Sequence, residues 1–142
     1  LKEINKKIKV NLYGEQIDIN KIPKEFNSIG RITNQNKIAK LYREHSLGLA
    51  FSSTNPSLIP FEMLACGLPV FDIDTGKKNL DFLQCKSYIS CDPCEEKLAK
   101  KINEYIYNRN LLNDLKKEAL SWSANIPSEN QFCTEVYELL YN

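Results

Sequence analysis

Between residues 47 and 73 the chain reads strand, helix, strand, and this order restricts the fold more than any other feature. Residues 47–51 (Leu-Gly-Leu-Ala-Phe) are an uninterrupted apolar run. A run without alternation suits a strand covered on both faces, as at the centre of a parallel sheet. A polar stretch, Ser52-Ser53-Thr54-Asn55-Pro56-Ser57, ends it, and a short helix is predicted over 58–66. Gly67-Leu68-Pro69 stops that helix, because Gly accepts the left-handed conformation past a helix end and Pro cannot continue one. Val70–Ile73 is the next strand.

The same alternation extends in both directions. Residues 1–7 look like the tail of a helix. Ile8, Val10 and Leu12 alternate with polar residues as in a strand with one wetter face. Gly14 ends it, and 15–24 is a connection containing Pro23. A second short strand is expected over 26–32, interrupted at Gly30. Thr33 is the expected N-cap of a helix carrying Ile38, Leu41, Tyr42 and His45. Beyond 73, a helical turn is expected over 79–84 and a strand over 88–90. The remainder is helical, with one stripe at Leu98, Ile102, Tyr105 and Ile106 and another at Leu111, Leu112, Leu115, Ala119 and Trp122. After Pro127 a last helix carries Phe132, Val136, Leu139 and Leu140. The fold class is therefore α/β: a Rossmann-like parallel sheet with helices on both faces and a helical C-terminal segment, residues 1–142 forming a single domain.

Composition narrows the function. The 142 residues carry a net charge of +1, and the lysines of the first forty are spaced among apolar residues, so nothing points to nucleic acid. No apolar run approaches the length of a membrane span. No signal peptide is visible, and the chain starts at Leu1, which reads as a fragment of a longer protein. The five cysteines form no disulfide framework, so reduced thiols and a cytoplasmic setting are expected, with Cys66 in the buried helix. Cys91-Asp92-Pro93-Cys94 lacks a second Cys pair, and His45 is the single histidine, so no metal site is expected. Asp92-Pro93-Cys94-Glu95 reads instead as a helix start with Asp92 as the cap.

Glu62 is the chemically pointed residue. It is the one charge in a helix whose neighbours Leu58, Phe61, Met63, Leu64 and Ala65 are apolar. A carboxylate there either faces a cleft and holds a ligand with hydroxyl or N–H donors, or is satisfied inside the fold. His45 lies in a helical stripe as a packing residue, and Asp72, Asp74 and Asp81 near a strand end read as loop and cap residues.

The stretch Glu62-Met63-Leu64-Ala65-Cys66-Gly67-Leu68-Pro69-Val70 resembles the donor-binding signature of GT-B glycosyltransferases. With Pro56-Ser57-Leu58-Ile59-Pro60-Phe61 before it, the chain is most similar to their rhamnosyltransferase-like branch. The likeness reaches back through Gly30-Arg31-Ile32-Thr33 and covers roughly residues 8–92. It implies the C-terminal domain of a transferase of polysaccharide biosynthesis that binds a nucleotide-diphosphate sugar and passes the sugar to an acceptor hydroxyl, with no metal and no further cofactor. It implies that Glu62 accepts hydrogen bonds from two ribose hydroxyls, and that Arg31 and Ile32 pair a base through their backbone beside Gly30. Thr54, Asn55, Pro56 and Ser57 would lie at the diphosphate and sugar. Ser57 as a plain helix cap, and Gly30-Arg31-Ile32 as a plain turn, stand as the alternatives at those positions.

The resemblance also implies what is missing. The family places one more strand, at the sheet centre, before the helix whose tail opens this chain, and an acceptor-binding N-terminal domain before that. The bases that neutralise the diphosphate come from the same upstream region, so this chain alone is expected to bind weakly and not to turn over. An unfilled strand position would expose two sheet edges and invite self-association. The full-length protein is expected in the cytoplasm, at the inner face of a membrane. The rival reading is a non-catalytic interaction domain that retains the fold. A receiver-like protein fits less well, since residues 8–13 carry no acidic cluster.

Overall fold

The computed structural model describes residues 8–14, 18–51, 57–73 and 84–127, together with positions 130, 131, 134 and 138. The expectations for 1–7, for the helical turn at 79–83, for Asp74, Asp81 and Cys133, and for the apolar stripe of the last helix lie outside the described residues. The elements are β1 (Val10–Tyr13), β2 (Phe26–Gly30), α1 (Gln35–Glu44), β3 (Gly48–Ala50), α2 (Ile59–Ala65), β4 (Val70–Ile73), β5 (Tyr88–Cys91), α3 (Glu95–Ile106) and α4 (Arg109–Ala124), with a short 3-10 turn at Ile19–Lys21.

All described strand pairs are parallel, but they form two sheets rather than one. β1 pairs with β2, and β3, β4 and β5 pair in that order. The hydrogen bonds of α1 orient the two sheets. Tyr42 of α1 meets Tyr13, and His45, one turn later, meets Asn11. The helix thus advances as β1 retreats, so α1 runs against β1. α1 bridges from the first sheet to the second.

Alternation along β3, β4 and β5 sends side chains to two cores. Ala50, Val70 and Tyr88 face α1, α2 and the later part of α4, in a cluster with Tyr42, Met63 and Leu64. Leu49, Phe71, Ile89 and Cys91 face the other way, onto Leu98 and Ile102 of α3 and Leu115 of α4. Gly48 has no side chain because β3 passes close to α2: a Cβ there would lie 2.4 Å from Met63 Sδ.

Helix α4 crosses the amino-terminal end of the three-stranded sheet. Glu118 accepts from the amides of Lys86 (3.0 Å) and Ser87 (2.9 Å) and from the Ser87 hydroxyl, just before β5 begins. Trp122 stacks on Phe61 of α2, and Phe61 stacks on Tyr88, each with ring centroids 6.3 Å apart. With α4 across the amino ends, the carboxyl ends of the strands are left to the connecting segments.

Three local expectations are corrected. Asn34, not Thr33, caps α1, its side chain accepting from Lys37 N at 3.1 Å. Cys94, not Asp92, is the residue before α3, and Asp92 instead pairs with Lys97 at 2.6 Å. Cys66 is half-buried at the end of α2 rather than inside it.

Candidate functional site

Three described segments converge at the carboxyl ends of β1, β2 and the start of α2. The first is a pair of glycines. Tyr13 is in register with Gly30, and the chain bulges at Ile29 to achieve it. Gly14 N then donates to Gly30 O at 3.1 Å, joining the two strand ends. Gly30 has φ +76° and Gly14 φ +129°, and a Cβ at either would meet nothing within 4 Å. The backbone here is bare and open, a shelf on which a flat ring could lie close to peptide groups. Arg31 follows on the exposed side, and Ile32 is half-buried.

The second is a pair of phenols. Tyr13 Oη and Tyr42 Oη are 2.5 Å apart, with the rings edge to face. Tyr42 is buried and Tyr13 half-buried. Burial, foremost, then the Tyr13 hydroxyl and the negative charges of Tyr13, Glu62 and Cys66, push Tyr42 far above the usual phenol range. Tyr13 is also raised, by burial first and with Glu62 adding, although the bond to Tyr42 pulls the other way. Both hydroxyls therefore keep their protons at neutral pH. One of the two protons is used between them.

The third is Glu62 itself, one turn into α2. Its flanking residues are held down: Pro60, Met63 and Leu64 are buried, while the Glu62 side chain is exposed. The fold thus presents this carboxylate to solvent on a helix anchored to the core by Pro60, Met63 and Leu64. It lies near enough to Tyr13 and Tyr42 for its charge to act on both. Ser57 Oγ accepts from Ile59 N at 3.2 Å, as a cap would, and retains its own proton. Pro60 has no amide, so the start of α2 offers fewer free donors than most helices. Thr54, Asn55 and Pro56 lie outside the described residues.

The phenol pair is not legible in the sequence, where Tyr13 reads only as a strand residue; a tyrosine next to the strand-ending Gly14 is the one local signal at this position. Two further expectations change. His45 is a linking residue as well as a packing one. Its Nδ1 lies 2.6 Å from Leu41 O, which can only accept, so Nδ1 carries the proton. Nε2 then accepts from Asn11 Nδ2 at 2.6 Å, and Asn11 in turn accepts from Asn27 at 3.1 Å. Asp72 is not a loop residue: it is buried in β4 and accepts from Tyr88 Oη at 2.5 Å.

The model of the family described as WsaF, C-terminal domain, matches residues 2–103. The chain belongs to the WsaF C-terminal domain family. The matched span contains all five described strands together with α1 and α2, hence Gly14, Gly30, Tyr13, Tyr42 and Glu62; α4 lies beyond it. The WsaF C-terminal domain is a glycosyltransferase-associated domain, which agrees with the α/β architecture of parallel strands and helices. No curated protein and no solved structure matches the chain. Among the described residues no helix is long and apolar enough to cross a membrane.

Proposed function

We propose that this WsaF C-terminal domain binds the nucleotide-diphosphate sugar of a glycosyltransferase, for transfer to an acceptor hydroxyl held by another part of the protein. The observation that supports it is the exposed Glu62 carboxylate on a helix anchored by buried Pro60, Met63 and Leu64, beside a phenol pair and a glycine shelf at the carboxyl ends of parallel strands. Ligands of open parallel sheets lie at those ends. An ionised carboxylate accepts from two adjacent hydroxyls, which suits a ribose diol. The open backbone at Gly14 and Gly30 suits the base, with Arg31 and Ile32 beside it. Thr54, Asn55, Pro56 and Ser57 would reach the diphosphate and the sugar.

A rhamnosyl or other hexosyl group is the donor sugar in this reading, and no metal or further cofactor takes part. Arg31 is the one cation of the described glycine shelf, and in this reading most of the neutralisation of the diphosphate comes from other segments of the full-length protein. The chain alone then binds nucleotide weakly and does not turn over. Calorimetric titration with UDP, dTDP and GDP tests the reading. Saturable binding of one of them supports it. Absence of binding by all three, in a chain extended upstream, would favour an interaction domain, which the exposed Phe51, Leu58 and Ile59 would equally suit.

A further inference from the structure

Glu62 projects from a helix that cannot fix its own orientation. α2 is seven residues long, too short to hold itself in water without packing. Its neighbours therefore decide where the carboxylate points. At about 100° per residue, the buried Pro60, Met63 and Leu64 share one stripe about 100° wide. That stripe sets how deep the helix sits. Contacts on the flanks set how far it can roll about its axis.

The flanks are unequal. On one, Ile59 is exposed and Cys66 is small. On the other, Phe61 stacks on two rings from separate elements. These are Tyr88 of β5 and Trp122 of α4, at interplanar angles of 24° and 23°. Tyr88 is itself tied by its hydroxyl to the buried Asp72 of β4. Helix α4 also meets the far end of α2, where a Cβ on Gly67 would lie 3.0 Å from Leu120 Cγ. Glu62 follows Phe61 directly, about 100° further round the helix.

We infer that Trp122 is a positioning residue for Glu62: its ring holds Phe61, and through Phe61 the roll of α2 that aims the carboxylate. Trp122 lies beyond residues 2–103, so membership of the family gives it no role at the site. The consequence for ligands rests on the donor-binding reading above; the placement of the carboxylate does not. A helix with its side chains is about 10–12 Å across, which puts the carboxylate about 6 Å from the axis. A roll of about 20° then carries it about 2 Å along the arc. Hydrogen bonds to hydroxyls span only about 2.5–3.0 Å, so a shift of that size breaks them. Were Trp122 only packing, its loss would lower stability without changing how the site tells one ligand from another.

Two readouts test this on the 142-residue chain, with Trp122→Leu as the main variant. The first needs no ligand. The charge of Glu62 acts on Tyr13 and Tyr42, so Glu62→Gln should shift the ring-carbon NMR signals of both. In the Trp122→Leu background the same replacement should shift them less than about half as far. The second is NMR titration with UDP and GDP, each against its 2′-deoxy form. Wild type should favour the ribose form of the nucleotide it binds about ten-fold, the worth of one charged hydrogen bond. Trp122→Leu should bring that ratio within about two-fold, whereas general loosening would weaken both forms alike. Phe61→Leu breaks the same stack from the α2 side and should reproduce both results. Trp122→Phe keeps a ring in place and should resemble wild type. Equal tyrosine responses with and without Trp122 overturn the inference. Should Trp122→Leu fail to fold, a folded Phe61→Leu chain that behaves as wild type overturns it equally. If wild type does not separate ribose from deoxyribose, the donor-binding reading fails, and the tyrosine signals alone decide the positioning.

Discussion

Replacing Glu118 with Ala removes the group that ties α4 to the amino end of β5, and the cost can be worked from its bonds. Ser87 is fully buried, so its amide, 2.9 Å from the carboxylate, has no water to turn to. A hydrogen bond to a charged group contributes about 1.5–3 kcal/mol. The Ser87 hydroxyl adds little to the loss, because Leu115 O lies 2.6 Å away and can take its single proton once the carboxylate is gone. The Lys86 amide is exposed and is rehydrated, so it adds only a few tenths of a kcal/mol. The sum is about 2–3 kcal/mol, or roughly 4–12 °C in Tm for a chain of this size. Glu118→Gln keeps an oxygen in place without the charge and should cost about 1 kcal/mol. Urea unfolding followed by circular dichroism measures both. Ala within 0.5 kcal/mol of wild type, or Gln as damaging as Ala, would refute the reasoning.

Tyr13→Phe strands the buried Tyr42 hydroxyl and should cost about 1–2 kcal/mol in urea unfolding, whereas adding Tyr42→Phe should recover part of it; strictly additive losses would deny the pairing. Burial pushes the Cys85 thiol up to about 11. At pH 8 roughly one Cys85 in a thousand is then thiolate. Among the described cysteines, Cys85 and Cys91, whose thiol burial also pushes up, should alkylate last and half-buried Cys66 and Cys94 first, as read by peptide mass mapping. The sign for stability follows. The folded state holds the Cys85 proton more tightly than the unfolded chain, so this contribution is complete below about pH 9 and is lost as the pH rises towards about 11. Cys85→Ala should flatten the fall in urea midpoint across that interval, and an unchanged slope would count against it.

The parts legible in the sequence are those fixed by local chemistry. Gly67 takes φ +74°, and Gly67 N and Leu68 N close the end of α2 on Leu64 O and Met63 O, as Gly67-Leu68-Pro69 announces. The stripes of α3 and α4 bury Leu98, Ile102, Leu115 and Ala119 because helical spacing leaves little choice. What stayed hidden depends on partners distant in sequence. Thr33 and Asn34 are both good caps, and only the path out of β2 decides between them. Tyr13 and Tyr42 are 29 residues apart, and Glu118 is 31 from Ser87. Asp72 reads as a loop residue until Tyr88 is seen donating to it. At the site, Glu62 stood out because charge amid apolar neighbours is a local anomaly. The two glycines did not show as a pair, because their pairing depends on the bulge at Ile29.

The account depends most on the role of the Glu62 carboxylate. The direct measurement is calorimetric titration of wild type and Glu62→Gln with whichever of UDP, dTDP and GDP binds. A lost charged hydrogen bond of about 1–3 kcal/mol predicts a Kd weaker by roughly 5- to 150-fold, with the thermal midpoint of the free protein unchanged because the side chain is exposed. Equal affinity in the two proteins would contradict it.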